Sequence, residues 1–209
     1  THHDKGMLGA RTTKLKVGYR QAEVELQGRG RRLLAAPAYD ESAAAGKNVV
    51  IAMSDPDGVP TLYQWLGGSE ALLRLTTRFY ENVKADPLLA PVFAHMDADH
   101  PAHVAAFLAE VLGGPADYSQ HHGGHPHMIR QHLNRHLQQE QRRRWVGLLL
   151  ETADELAMPD DPEFRSALVG YLEWGSRLAV INSQAGAAVD ADAPMPKWGW
   201  GEVKGPYSG

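Results

Sequence analysis

The sequence predicts an all-α domain, and three observations carry that prediction. Between Pro60 and Gln184 apolar residues recur at helical spacing, the breaks are marked by glycine pairs or prolines, and no strand-like alternation interrupts the pattern. A short first helix runs from Pro60 to Leu66, with proline in its first turn, and stops at Gly67-Gly68. Ser69 is the expected N-cap of the second, on which Leu72, Thr76, Phe79, Tyr80 and Val83 share a face. Asp86-Pro87 opens a turn through Phe93. The next helix, His100 to Leu112, places Val104, Phe107, Leu108 and Val111 on one side and ends at Gly113-Gly114. Gly123-Gly124 and Pro126 introduce a short helix containing His132. Two longer helices follow, from Gln139 to Ala157 with Trp145, Leu148, Leu149 and Leu156 inward, and from Pro162 to Asn182 with Phe164, Leu168, Tyr171, Leu172 and Leu178 inward. Asp160, Asp161 and Pro162 make a strong start for the last.

This core, residues 59–184, is flanked by two extensions. In residues 1–58 basic residues mix with an alanine and glycine stretch, which reads as loosely ordered; Leu15, Val17, Tyr19, Val24 and Leu26 alternate with polar residues as in a short hairpin. His2 and His3 read as a terminal or tag remnant. Residues 185–209 are rich in alanine, glycine, proline and aspartate, the composition of a flexible tail; Trp198, Trp200 and Tyr207 also suit an extended strap docked by its aromatics.

Composition narrows the chemistry. The 209 residues contain no cysteine, which removes disulfides, thiolate metal sites and cysteine nucleophiles together and leaves histidine and carboxylates as the strong metal ligands. No stretch approaches the roughly 18 apolar residues of a membrane span. The apolar run after Arg31-Arg32 is too short for an export signal, so a cytoplasmic protein is expected. A formal net charge of -4 gives no support to nucleic-acid binding. Arg142-Arg143-Arg144 does not change this, because consecutive helical residues fan around the axis; a solvated face is expected there. Of the 11 histidines, nine lie between His95 and His136. His132 and His136, four apart on the expected helix, share a face as two metal ligands do, although Leu133 stands where a metalloprotease motif needs glutamate. The run His121-His122-Gly123-Gly124-His125-Pro126-His127 reads as a polar loop, with a zinc or nickel site as the alternative. A single histidine facing an apolar, aromatic-lined interior suits haem iron.

The stretch from about Leu62 to Gln184 resembles the truncated haemoglobins, the two-over-two globins, and within them the second group. The resemblance rests on Gly67-Gly68, Phe79-Tyr80 with Asp86-Pro87, Gly113-Gly114-Pro115 with Tyr118, Gly124-His125-Pro126, His132, Trp145, Tyr171-Leu172-Glu173 and Asn182-Ser183, in collinear order. It implies a truncated two-over-two globin fold with flanking extensions and b-type haem held by His132 as the iron ligand. On the opposite side it implies Tyr80, Phe93, His100, Val104, Leu108 and Trp145, with Phe79 and Phe107 also lining the cofactor. Tyr80 and Trp145 each offer one donor to a bound diatomic ligand, and His100 stands at the pocket mouth as a gate, a donor or a sixth ligand. The sequence departs from the family pattern where the second group commonly supplies arginines to the haem propionates: His103 and Gln131 occupy those positions, leaving Arg130, Arg135, His103 and His136 as candidate replacements.

The implied function is binding of dioxygen and other diatomics for redox chemistry, such as nitric oxide dioxygenation or peroxide reduction, with Tyr80, Trp145 and His100 as catalytic candidates. An unidentified reductase would supply electrons, and the protein would be a monomer or homodimer without nucleic-acid or membrane partners. The alternatives are a haem-based gas sensor signalling through the extensions, and a globin fold without haem.

Overall fold

The computed structural model describes residues 13–17, 20–24 and 58–206. The chain divides into two units, residues 1–49 and 50–209. In the first, β1 (Thr13–Val17) pairs antiparallel with β2 (Arg20–Val24), Val17 opposite Arg20 and Thr13 opposite Val24. This is the hairpin suggested by the alternation, although Tyr19 and Leu26 lie outside the described residues, as does the rest of residues 1–57.

The second unit is helical: α1 (Leu62–Leu66), α2 (Gly68–Ala85), α3 (His100–Val111), α4 (Asp117–His121), α5 (Gly124–His132), α6 (Gln139–Glu155) and α7 (Pro162–Asn182). Helix α2 packs on α3 and on α6, and α6 packs on α7, giving two pairs stacked two over two. Phe79, Leu72, Val83, Leu149, Phe164 and Leu172 are fully buried between them.

Local chemistry sets the ends. Helix α1 starts at Leu62, two residues after the expected Pro60, because Thr61 caps it: its side chain accepts from Gln64 N while Gln64 Oε1 accepts from Thr61 N at 2.9 Å. Gly67, at φ 107°, closes α1 and opens α2 at once, a conformation that favours glycine; Ser69, the expected cap, lies inside the first turn of α2. Asp161 caps α7 through Phe164 N at 2.9 Å and accepts the Trp65 indole at 2.8 Å, joining α1 to α7. Asp86 accepts from Leu88 N and Leu89 N, so its carboxylate organises the turn after α2.

The tail docks as a strap. Trp198 N donates to Val111 O at 2.8 Å and its indole to Ala167 O at 2.9 Å, while the Trp200 indole donates to Pro60 O at 2.7 Å and meets Trp65 edge-on. The flexible-tail reading is therefore replaced for residues 185–206. Trp198 and Trp200 gain both burial and a partner for their N–H, which the composition alone conceals.

Candidate functional site

Four segments meet at one aromatic cluster. Helix α2 contributes Phe79 and Tyr80, both buried because they fall on its inward face. The turn that follows contributes Phe93, α3 contributes His100 from its first residue, and α6 contributes Trp145. Ring centroids lie 5.3 Å apart for Phe79 and Trp145, 5.4 Å for Tyr80 and Phe93, and 4.8 Å for Tyr80 and His100, with edge-on geometry throughout. Phe93, Val104 and Trp145 are only half-buried, as are Met96 and Met128, so apolar surface remains exposed around this cluster.

The polar groups in it are coupled. His100 Nε2 lies 3.0 Å from Tyr80 Oη, a contact in which either atom donates according to the imidazole tautomer. Burial pushes the Tyr80 phenol above its ordinary range, with a hydrogen bond from the Trp145 indole acting the other way, so the phenol keeps its proton. Burial lowers the His100 pKa, helped by His103.

His132 ends α5. Its Nδ1 lies 2.9 Å from Met128 O; a carbonyl only accepts, so the proton is on Nδ1 and Nε2 keeps its lone pair. Nε2 has no hydrogen-bond partner among the described residues. Burial lowers the His132 pKa against the effect of that Met128 bond, which keeps the ring neutral. A neutral imidazole with a fixed tautomer and a free second nitrogen is the form that ligates iron. The donor set therefore fits haem: one such imidazole, partly exposed apolar and aromatic side chains, and O–H and N–H groups on a separate helix pair.

The remaining expected site residues are divided between the surface and the core. His136 does not share a helix face with His132, because α5 stops there: Leu133 turns extended, and Asn134 and His136 have φ of 57° and 51°. His136, Arg130 and Arg135 are exposed. His103 turns to Asp99 at 3.4 Å and meets His122 at a tilt of 58°, with centroids 4.5 Å apart. Phe107 is buried against Tyr118, and Leu108 is buried in the core. The histidine run is not an open loop, since it runs from the last residue of α4 into the first turn of α5, with His125 Nδ1 donating to Pro194 O at 2.9 Å. No group of three or more metal-ligating side chains converges among the described residues. The arginine run is likewise structural. Arg142 is buried against Glu173 at 2.9 Å and Ser176, Arg144 bridges Asp86 and Glu151, and only Arg143 is exposed.

Reading the sequence alone missed Met96 and Met128. The second was findable, because a helical histidine whose Nδ1 is fixed takes the carbonyl four residues before it.

Two stacked helix pairs around a buried tyrosine and a half-buried tryptophan, with one tautomer-fixed histidine on a short separate helix, define a two-over-two globin. The bacterial-like globin family matches residues 61–173, and the chain belongs to that family. The group 2 truncated haemoglobin of Bacillus subtilis is 32% identical over 118 residues, which is 56% of this chain and 87% of the relative. Among solved structures, a thermostable haemoglobin from Thermobifida fusca is 34% identical, with a TM-score of 0.51 over 57% of this chain and 96% of its own. A truncated oxygen-avid haemoglobin from Bacillus subtilis is 32% identical, with a TM-score of 0.52 over 57% and 98%. Globins of this family bind haem iron and, through it, diatomic gases. No helix among the described residues is long and apolar enough to cross a membrane.

Proposed function

We propose that this chain holds b-type haem through His132 and retains dioxygen or a related diatomic beside Tyr80, Trp145 and His100 for redox turnover, nitric oxide dioxygenation or peroxide reduction. An external reductase supplies the electrons. The observation that carries the reading is the His132 imidazole, neutral, committed at Nδ1 to Met128 O and uncommitted at Nε2. Bound haem supplies the iron at which a diatomic ligand binds and exchanges electrons.

This chain's residues do the rest. His132 offers Nε2, and its bond to Met128 O fixes the ring and raises its basicity. Phe79, Phe93, Val104, Phe107 and Leu108 keep the surroundings apolar, which strengthens the few hydrogen bonds made there. Trp145 presents one N–H and Tyr80 one O–H, both rigid and both unable to ionise at neutral pH. His100, half-buried and within 3.0 Å of the Tyr80 hydroxyl, can accept its hydrogen bond or donate one to it according to tautomer, and so orients the phenol proton. Arg130, Arg135, His103 and His136 are the cations available to the haem carboxylates, at the cost to His103 of its contact with Asp99. The oxygen-avid relative from Bacillus subtilis supports a retaining site over a delivering one.

The test is the visible spectrum of the haem-loaded protein and of His132→Ala, followed by steady-state nitric oxide consumption with a flavoprotein reductase. An axial-histidine spectrum lost in the variant, with sustained turnover in the parent, is expected. An unchanged spectrum in His132→Ala refutes the ligand assignment, and haem binding without turnover refutes the redox role.

A further inference from the structure

Helix α5 is the least anchored helix of the domain relative to what it is asked to hold. It has nine residues, of which only Gly124 and Ile129 are buried, and it packs mainly on α4 and α7. Both ends have residues in the left-handed region, Gly123 and Gly124 where the helix begins and Asn134 and His136 after it. For a side chain other than glycine that conformation costs on the order of 1–2 kcal/mol, so something must hold it.

What holds it is the chain leaving α7. At one end His136 N donates to Ser183 O at 2.9 Å, Leu137 N donates to Ser183 Oγ at 3.0 Å, and Gln184 Nε2 donates to Leu137 O at 3.1 Å. Ser183 itself is fully buried and its hydroxyl donates to Val180 O, so this end is fixed to α7. At the other end His125 Nδ1, in the first turn of α5, donates to Pro194 O. A few residues further on, Trp198 and Trp200 fasten the same strand of chain to Val111 O, Ala167 O and Pro60 O.

We infer that the segment from Ser183 to Pro194 is a bracket that grips the histidine-bearing helix at both ends, with His125 and Ser183 as positioning residues that set how firmly His132 holds its cofactor. The inference rests on the haem reading above. It assigns the C-terminal extension a task in cofactor retention. Trp198 and Trp200 tie down the chain beyond Pro194, outside the bracket, and the two grip points act on the first turn of α5 and on the chain just after it. The bond tested at Ser183, from Leu137 N, is part-buried and the His125 bond is exposed, so losing the first is expected to raise the rate of haem loss about three- to tenfold and losing the second by less.

The experiment uses the full chain with three changes. His125→Phe keeps the aromatic contact with Phe107 but removes the bond to Pro194. Ser183→Ala removes the acceptor for Leu137 N. Trp200→Phe removes an anchor bond that touches no part of α5. Haem transfer to excess apomyoglobin is timed, the iron–histidine stretching band is recorded by resonance Raman, and amide hydrogen exchange across 124–132 is followed in the haem-free chain. Faster haem loss and a shifted band in His125→Phe and Ser183→Ala are expected, with faster exchange in 124–132. Trp200→Phe should lower the melting temperature while leaving the band in place. Unchanged haem loss in the first two overturns the bracket, and so does an equal effect of all three, which would reflect global stability alone. If the parent takes up no haem, the proposed function fails while the exchange measurement still decides the bracket. Unchanged exchange in 124–132 then refutes it.

Discussion

Removing the indole donor is expected to change dioxygen release more than removing the phenol donor, and the structure says why. Tyr80 has one proton, and its oxygen lies 3.0 Å from His100 Nε2. When the imidazole accepts, the phenol proton is already engaged, and turning it to a bound ligand exchanges one hydrogen bond for another. The Trp145 N–H gives up a single bond, to the Tyr80 oxygen, whereas Tyr80 is held by both Trp145 and His100. A hydrogen bond to a ligand that draws negative charge is worth about 1.5–3 kcal/mol; with a neutral bond of about 0.5–1.5 kcal/mol given up, a net near 1.5 kcal/mol makes Trp145→Phe speed release by roughly tenfold. For Tyr80→Phe the neutral bond to His100, about 0.5–1.5 kcal/mol, is subtracted; a net near 1 kcal/mol gives roughly fivefold. The two effects need not add, because both donors serve one acceptor and His100 can move into the space of either. Stopped-flow displacement of dioxygen from the haem-loaded parent and both variants measures all three rates. Fast release in the parent, unchanged in both variants, refutes the retaining site. A Tyr80→Phe effect much larger than that of Trp145→Phe refutes the shared proton.

Further perturbations test the surroundings. The Arg144 guanidinium holds the Asp86 carboxyl below its ordinary value of 3.8, so the pair stabilises the fold above about pH 4 and that stability is lost as pH falls through the folded value. Urea unfolding between neutral and acid pH should show this loss in the parent and a flatter profile in Asp86→Asn, and parallel profiles would remove the pair as its source. Gly114→Ala should cost about 1–3 kcal/mol, because a Cβ there meets Ala109 O at 2.7 Å and the Tyr63 ring at 2.8 Å; denaturant midpoints decide it. Deleting residues 187–209 is expected to lower the melting temperature by several degrees, since it removes the indole bonds of both Trp198 and Trp200. An unchanged calorimetric transition would mean the strap contributes little.

The long helices were legible because their signals are local. Asp161 with Pro162 fixes the start of α7, and its expected bounds, Pro162 to Asn182, are the observed ones. Helix α4 was not legible: five residues between two glycine pairs are too few to display a period. Phe79, Tyr80, Phe93, His100 and Trp145 were singled out by a family resemblance and not by any local pattern; the fold brings their rings into contact. What failed to show was decided by distant partners. The sequence four residues past His132 reads as helix, yet the chain turns out at Leu133 because Ser183, 46 residues from Leu137, takes the amides beyond it. Trp200 finds its acceptor 140 residues away at Pro60, a contact no window along the tail contains. Arg142 looks solvated among three arginines until Glu173 and Ser176 on α7 are brought beside it.

The two sides of the site are therefore built to different standards. Tyr80 and Trp145 sit on α2 and α6, helices of 18 and 17 residues that pack on each other and fix both rings among buried neighbours. Such side chains move little, which suits hydrogen bonds that must discriminate between ligands. His132 sits on nine residues whose position depends on Ser183 and Pro194. Local opening is cheapest where few apolar contacts must be broken, so α5 should exchange and shift before α2 or α6 does. Ligand release and haem loss should then respond to different residues. Changes at Tyr80 or Trp145 alter the first at constant haem retention, and changes at His125 or Ser183 alter the second. A variant series in which the two rates moved together would place both under one global opening of the domain, and the division between the two sides would not stand.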